Sequence, residues 1–264
     1  MQKLTSMQNA LIQQMRKLQQ KKARLQSNLF LCEGIRSLEA AFSSNVKIHS
    51  LFVTAEALEK PRIADFCREV SNLGVSVYQV SQRILAGLSQ TETNQGIIAA
   101  IEQTKCDLQQ LHAGMRILLL DRLQDPGNAG TALRSAAAFG FDAVVFLPGS
   151  VDPWGDKVIR SSAGSLFQVM VVEAESEEAV ILRLKELHLP LAATALTDAE
   201  ELAEQHWLKQ PLALAVGNEG QGISNTLLQA ADYRLTIPMI GPTESLNVAV
   251  ATGILLFKMM PNKS

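Results

Sequence analysis

From residue 114 onward, short apolar runs recur with amphipathic or polar segments between them. The runs are "RILLLDRL", "AVVFLPG", "QVMVVEA", "LPLAATAL", "PLALAVG" and "YRLTIPMI". The segments between them include "TALRSAAAFG", "SEEAVILRLKELH" and "ISNTLLQAAD", and the apolar "VAVATGILLF" follows the last run. Apolar runs this short, without alternation, are the mark of strands covered on both faces. Strands taking turns with helices predict an α/β fold: a mostly parallel sheet with helices on both faces. In such a sheet ligands bind beyond the carboxyl ends of the strands. Three polar loops fall at that edge: "DRLQDPGNAGTALR", "GNEGQGIS" and "PMIGPTESLN".

The front of the chain reads differently. Met7 to Gln26 has a helical pattern, with Leu11, Met15, Leu18 and Leu25 among Lys, Arg and Gln. "NLFLCEG", "VKIHSLFVT", "VSVYQVS" and "GIIAAIE" read as strands, with helices "IRSLEAAFSS", "IADFCREVSNLG" and "RILAGLS" between them. This predicts a small N-terminal α/β domain over residues 1–105 and a second over 114–264, the boundary falling between Glu102 and Gly114. A further helix is expected in the acidic "DAEELAEQH".

Charge is unevenly spread. The net charge is −2. Residues 1–50 hold eight lysines and arginines against Glu33 and Glu39, a local +6 that leaves −8 for the rest. A basic front on an acidic body suits a polyanion-binding surface, although a solvated helix face explains "RKLQQKKARLQ" equally well. No apolar run reaches membrane-spanning length, and the N-terminal stretch lacks the apolar segment of a signal peptide. Cys32, Cys67 and Cys106 form no C-x-x-C pair and read as reduced, mostly buried thiols of a cytoplasmic protein. The four scattered histidines suggest no metal site.

Each polar loop has a plain reading and a chemical one. In "VGNEGQGIS" the spacing of Gly217, Gly220 and Gly222 matches neither a P-loop nor a dinucleotide fingerprint. Glu219 inside it would repel a pyrophosphate, so a ligand poor in phosphate fits better than a nucleotide, and an ordinary strand-to-helix turn is the alternative. Glu244, Ser245 and Asn247 surround Leu246 just before the apolar run at Val248, where helix capping explains Ser and Asn. In "DPGNAGTALRSAAAFG", Asn128 and Gly130 stand near a helix start with Arg134 one turn inside. That arginine either snorkels to solvent or grips a phosphate or developing anion.

Together the stretches "NAGTALRSAAAFG", "LAVGNEGQGIS" and "IPMIGPTESLNVAVATGILLF", in that order, resemble the three motifs of the SpoU (TrmH-type) class of SPOUT RNA methyltransferases. The resemblance covers roughly residues 115 to 260. "DPWGDKVIRSSAGSLFQV" is similar to the segment between the first two motifs. More loosely, the front domain resembles the small RNA-binding domain that many of these enzymes carry. The resemblance implies a C-terminal trefoil knot, S-adenosylmethionine as methyl donor, a homodimer, and methyl transfer to a ribose 2′-hydroxyl of RNA. It implies that Gly217, Ile237 and Leu246 contact the cofactor through their backbones, with Thr194, Asn218 and Gly220 in the same cofactor-binding group. Asn128, Arg134, Glu219, Ser245 and Asn247 are implied as the catalytic neighbourhood. A guanidinium stays protonated in proteins, so Arg134 is expected to act electrostatically rather than as a base. Ribosomal RNA is the expected substrate. Transfer RNA, or an RNA-binding protein without catalysis on the same fold, is the alternative. A nucleotide-dependent oxidoreductase is disfavoured by the glycine spacing.

Overall fold

The computed structural model describes residues 1–195, 200–201, 206–242 and 245–261. It divides into two compact units, Met1–Thr104 with Trp154–Phe167, and Lys105–Pro153 with Gln168–Ser264. The excursion Trp154–Phe167 therefore packs with residues of the front of the chain, which a division into two continuous spans does not capture.

The first unit runs β1 (Gln2–Leu4), α1 (Ala10–Lys17), α2 (Lys21–Ser27), β2 (Leu29–Glu33), α3 (Ile35–Ser43), β3 (Ile48–Val53), α4 (Ala55–Leu58), α5 (Pro61–Asn72), β4 (Ser76–Val80), α6 (Gln82–Leu88) and β5 (Ile97–Glu102). Its sheet has the order β1-β4-β3-β5-β2, with β5 antiparallel to both of its neighbours. The continuous helix suggested by Met7–Gln26 is instead two helices. Gln20 is extended at φ −99°, ψ 134°. The buried Arg24 makes the break tolerable, donating from Nη1 to the Leu18 and Gln19 carbonyls at 2.8 and 3.1 Å. Cys32 and Cys67 are free and buried, and burial raises both thiol pKa values, that of Cys67 to about 11.

The second stretch of chain runs β6 (Ile117–Leu120), α7 (Pro126–Ala138), β7 (Ala143–Phe146), α8 (Asp156–Ser162, in the first unit), β8 (Met170–Glu173), α9 (Glu177–Glu186), β9 (Leu191–Thr194), β10 (Glu200–Glu201), β11 (Ala213–Val216), α10 (Asn225–Ala230), β12 (Tyr233–Thr236) and α11 (Val248–Met259). Among the described residues the strands lie in the order β10-β12-β9-β11-β6-β7-β8, and every pairing is parallel. The chain moves outward from β6 through β7 and β8, then crosses to fill the other side of β6. Right-handed crossovers on opposite sides of such a reversal lay helices on opposite faces of the sheet. The contacts agree, since α7 packs on α11 and α9 on α10. All four residues of β6, β7 and β11 are buried, as two-sided cover requires. Ile117, Leu119, Val145, Val172 and Ala215 meet Val180 and Leu184 of α9 and Leu227 of α10 in one core.

Three local expectations change. Helix α7 begins at Pro126, because Asp125 caps it by accepting the Asn128 N–H at 2.8 Å and proline suits the first turn. Asn128 thus lies in the first turn, and Arg134 is more than one turn inside. Strand β12 stops at Thr236, so Ile237–Ile240 lie beyond the ladder. In the acidic segment expected to be helical, Glu200 and Glu201 form an edge strand pairing with Leu235 and Thr236. Residues 198–199 and 202–205 of that segment lie outside the described residues, as does Glu244.

The end of α11 is held by two cations. Arg116, largely buried at the start of β6, donates to the Met259 and Lys209 carbonyls. Lys209 Nζ donates to the Lys258 and Met260 carbonyls at 2.7 and 3.1 Å. Four carbonyls, three of them at the helix C-terminus, gain charged donors, which favours cations there. The cost is visible in Arg116, whose pKa burial lowers.

Candidate active site

Thr194, Gly217 and Ile237 leave the carboxyl ends of β9, β11 and β12, three adjacent strands. The register aligns them, with Thr194 opposite Leu235, Ala193 opposite Ala215 and Leu120 opposite Val216. Between β6 and β11 the winding reverses, which is where an open parallel sheet leaves a ligand crevice. The loops after β6, β11 and β12 therefore converge on one edge.

A chain of side-chain amides joins these loops. Asn247 Oδ1 accepts the Ala249 and Val250 N–H groups at 2.9 and 3.3 Å, capping α11. That fixes its Nδ2 as a donor, and it donates to Asn128 Oδ1 at 3.1 Å. Asn128 must then present its own Nδ2 outward, and it donates to Glu219 Oε1 at 2.8 Å. The helix cap thereby sets the orientation of both amides and places donors toward the carboxylate. Asn247 both caps and bridges, with the two ends of one amide.

Asn218 closes the Glu219 loop. Its backbone exchanges hydrogen bonds with Gly222 at 3.1 and 2.9 Å. Its Oδ1 accepts from the Gly220 and Gln221 N–H groups, and its Nδ2 donates to the Arg122 carbonyl at 2.9 Å. Gly217 is required by this closure, since a Cβ there would lie 2.5 Å from Gly222 O and Ile223 N. The remaining expected residues are not tied into the amide chain. Among the described residues no hydrogen bond or ion pair joins Arg134 or Ser245 to it, and both side chains are exposed, as is Gly220. Ile237 and Thr194 are half-buried, and Leu246 is 37% exposed.

Beneath the loop lies a group that motif reading passed over. Asp121, fully buried, accepts Arg122 Nε and Nη2 at 2.8 and 3.0 Å and the Ser224 N–H at 2.7 Å. Arg122 sits at φ 51° and reaches the Gln221 side chain and the Gly222 carbonyl at 3.0 and 3.1 Å. Ser224 Oγ donates to Glu177 Oε2 at 2.6 Å. Hydrogen bonding to Asp121 raises the Arg122 pKa above its ordinary value, so the clamp is always charged. The available signal was an Asp-Arg pair directly after a wholly apolar strand.

The model of the SpoU rRNA Methylase family matches residues 115–257, which is more than half of the chain. The chain belongs to the SpoU rRNA methylase family. Residues 9–99 match the MRM3-like substrate binding domain. The 23S rRNA (guanosine(2553)-2′-O)-methyltransferase of Bacillus subtilis (strain 168) is 34% identical over 261 residues, covering 98% of this chain and 99% of that protein. A 23S rRNA (guanosine-2′-O-)-methyltransferase of Haemophilus influenzae is 31% identical over 210 residues, covering 76% and 85%. The crystal structure of an AdoMet-bound rRNA methyltransferase from Sinorhizobium meliloti superposes with a TM-score of 0.88 at 28% identity, covering 98% of this chain and 97% of that one.

In this SpoU methylase the amide chain draws one residue from each of the three motifs, Asn128, Glu219 and Asn247. Among the described residues no group of three or more His, Cys, Asp or Glu is placed to hold a metal ion. No described helix is long and apolar enough to cross a membrane.

Proposed function

We propose that this protein transfers the methyl group of S-adenosylmethionine to a ribose 2′-hydroxyl of ribosomal RNA, with a guanosine of 23S rRNA as the target class of its named relatives. The observation that carries this reading is the Asn247–Asn128–Glu219 chain, which binds three separate loops into one polar surface at the switch edge of the sheet. The donor set suits the cofactor. A sulfonium carries positive charge and no phosphate, and the loop from Gly217 to Ser224 offers a carboxylate at Glu219 and no Lys or Arg of its own. Arg122, which reaches that loop, is ion-paired with Asp121. Exposed Leu246 and half-buried Ile237 supply apolar surface of the kind a purine ring covers.

When bound, the cofactor supplies an electrophilic methyl. Thr194, Gly217, Asn218, Gly220, Ile237 and Leu246 are proposed to hold it, and Asn128, Glu219, Ser245 and Asn247 to orient the reacting ribose. Arg134 stabilises the alkoxide that develops as the 2′-hydroxyl gives its proton to water or an RNA phosphate. Residues 1–105 are proposed as the RNA substrate-binding domain and 114–264 as the catalytic domain. The trefoil knot of the family and a cytoplasmic setting belong to the same reading.

The test is methyl transfer from labelled S-adenosylmethionine to purified 23S rRNA, 16S rRNA and transfer RNA, with the product mapped by mass spectrometry. We expect one 2′-O-methylated nucleotide in 23S rRNA. Label in transfer RNA alone would replace the substrate assignment. Cofactor and RNA binding without label in any of them would favour a non-catalytic RNA-binding protein.

The reading includes a homodimer formed through α11. Val250, Ile254 and Phe257 are 53%, 37% and 53% exposed and follow one another at helical spacing, an apolar stripe on a helix whose Ala249, Thr252, Leu255, Leu256 and Met259 are buried. Phe257 is backed edge-on by Phe139 at 5.7 Å, which gives the stripe a rigid base. Ile254→Glu is expected to convert the dimer to monomer in sedimentation velocity with the fold intact, because the side chain it replaces already meets solvent. An unchanged sedimentation coefficient would place the partner face elsewhere.

A further inference from the structure

The first unit contains an open polar cleft of about 330 Å³. Its two walls come from three separate stretches of sequence. One is the start of α3, with Arg36 and Ser37, facing Thr91, Thr93 and Gln95 of the α6–β5 loop. The other is α8, from the excursion Trp154–Phe167, which contributes Arg160.

The cleft is rigidly built. Glu33 is engaged on both carboxylate oxygens, by Ser89 Oγ at 2.6 Å and Thr91 Oγ1 at 2.7 Å, which pins the loop that bears the threonines. Gln95 Oε1 accepts the Ile35 N–H at 3.1 Å, tying the same loop to the first turn of α3. On the opposite wall Gly164 (φ 91°) lets α8 end close against α3, since a Cβ there would lie 2.7 Å from Ala40 Cβ. Arg160 pairs with Asp156 at 3.3 Å and keeps its side chain 34% exposed. Arg36 is exposed.

We propose that this cleft grips the sugar–phosphate backbone of a single RNA strand, taking about one nucleotide, with Arg36 and Arg160 on the phosphate. The proposal rests on the ribosomal RNA reading and names the place on the first unit where that substrate is held. Two guanidiniums on one cleft match a phosphate, which each can meet with paired N–H donors. The hydroxyls of Ser37 and Thr93 and the amide of Gln95 suit a ribose. No aromatic ring is among the lining residues, so nothing there stacks a base, and the grip positions RNA without reading its sequence. The volume falls at the small end of ligand sites, roughly 300–1,000 Å³, which admits one nucleotide and excludes a duplex. Arg36 belongs to the basic front of the chain, where residues 1–50 carry a local +6. Glu33 keeps its negative charge, but both its oxygens are engaged by the Ser89 and Thr91 hydroxyls, which leaves Arg36 and Arg160 as the charged donors on the cleft.

The experiment uses the full-length protein and a fluorescein-labelled poly(U) 20-mer, with affinity measured across a potassium chloride series. Arg36→Gln and Arg160→Gln are each expected to weaken binding about threefold to tenfold and to lower the log–log salt slope by about 0.7, one phosphate contact on a single strand. Arg36→Lys and Arg160→Lys are expected to keep the slope and recover part of the affinity. S-adenosylmethionine affinity should match wild type in all four. Lys47→Gln, outside the cleft, is the control for a general loss of charge. Cleft variants that bind poly(U) like wild type, or lose no more than Lys47→Gln, overturn the proposal. Methyl transfer by the wild-type protein to 23S rRNA is assayed separately. Normal transfer with no cleft effect sinks the cleft alone, and a cleft effect with no transfer sinks the methyltransferase reading alone.

Discussion

Arg134→Ala is expected to lower methyl transfer at least about a hundredfold, the scale of removing one preorganised electrostatic donor, with S-adenosylmethionine affinity nearly unchanged. The loss cannot come from unfolding. Arg134 projects from an exposed position of α7, and changes at such sites usually move stability by no more than about 0.5 kcal/mol. Its backbone is nevertheless fixed: Asp125 caps the helix, Ala132 and Leu133 beside it are buried, and α7 packs along α11. A long cation on a rigid base, free of the amide chain, is available to an incoming phosphate or alkoxide. Leu246→Arg should fail in the opposite way, because it sets a cation beside a sulfonium and removes cofactor binding itself. Arg134→Lys keeps the charge without the planar fork and should recover little activity. Isothermal calorimetry and single-turnover rates on the three variants separate these effects. Near-normal turnover of Arg134→Lys would indicate a point-charge role, and near-normal turnover of Arg134→Ala would remove Arg134 from the mechanism.

How far the sequence carried depended on the range of the signal. The parallel sheet was legible because β6, β7 and β11 are apolar at every position, and a run buried on both faces declares itself locally. The break between α1 and α2 was not, because apolar spacing continues through it and only a tertiary feature, Arg24 on two carbonyls, makes the interruption tolerable. At the site, Asn128, Glu219 and Asn247 stood out as polar residues in loops, but nothing local says that they touch. Their separations in the chain are 91 and 119 residues. Asn218, read as lining the cofactor cleft, also uses its side chain to hold its own loop closed, a role that no local spacing declares. The brace under the loop was missed because a buried Asp next to an Arg has no distinctive spacing. The place of the α8 excursion was missed because packing partners are not encoded in the segment that has them.

That brace predicts the second large effect. Asp121 sits with no solvent exposure at the end of β6 and receives three donors, two from Arg122 and one from the Ser224 backbone. Asp121→Ala leaves the Ser224 N–H and a charged guanidinium without their acceptor. Breaking one side of a buried pair costs about 3–5 kcal/mol, and Arg122, 29% exposed, moves the expectation to the lower end, since water meets part of the loss. At about 2–4 °C per kcal/mol, the unfolding transition of the second unit should fall by roughly 6–12 °C. Asp121→Asn should fall less far, keeping one acceptor while turning an N–H₂ toward other donors. The consequence reaches the chemistry because Arg122 holds Gln221, Gly222 and Asn218, the two sides of the turn that carries Glu219. With that clamp released, Glu219 loses its fixed distance to Asn128, and the chain from the α11 cap to the carboxylate opens. Below the lowered transition, the turnover rate should therefore fall by more than the affinity for S-adenosylmethionine does, and saturating cofactor should not restore it. A variant with the expected loss of stability and wild-type turnover would show that the brace supports the fold without positioning Glu219.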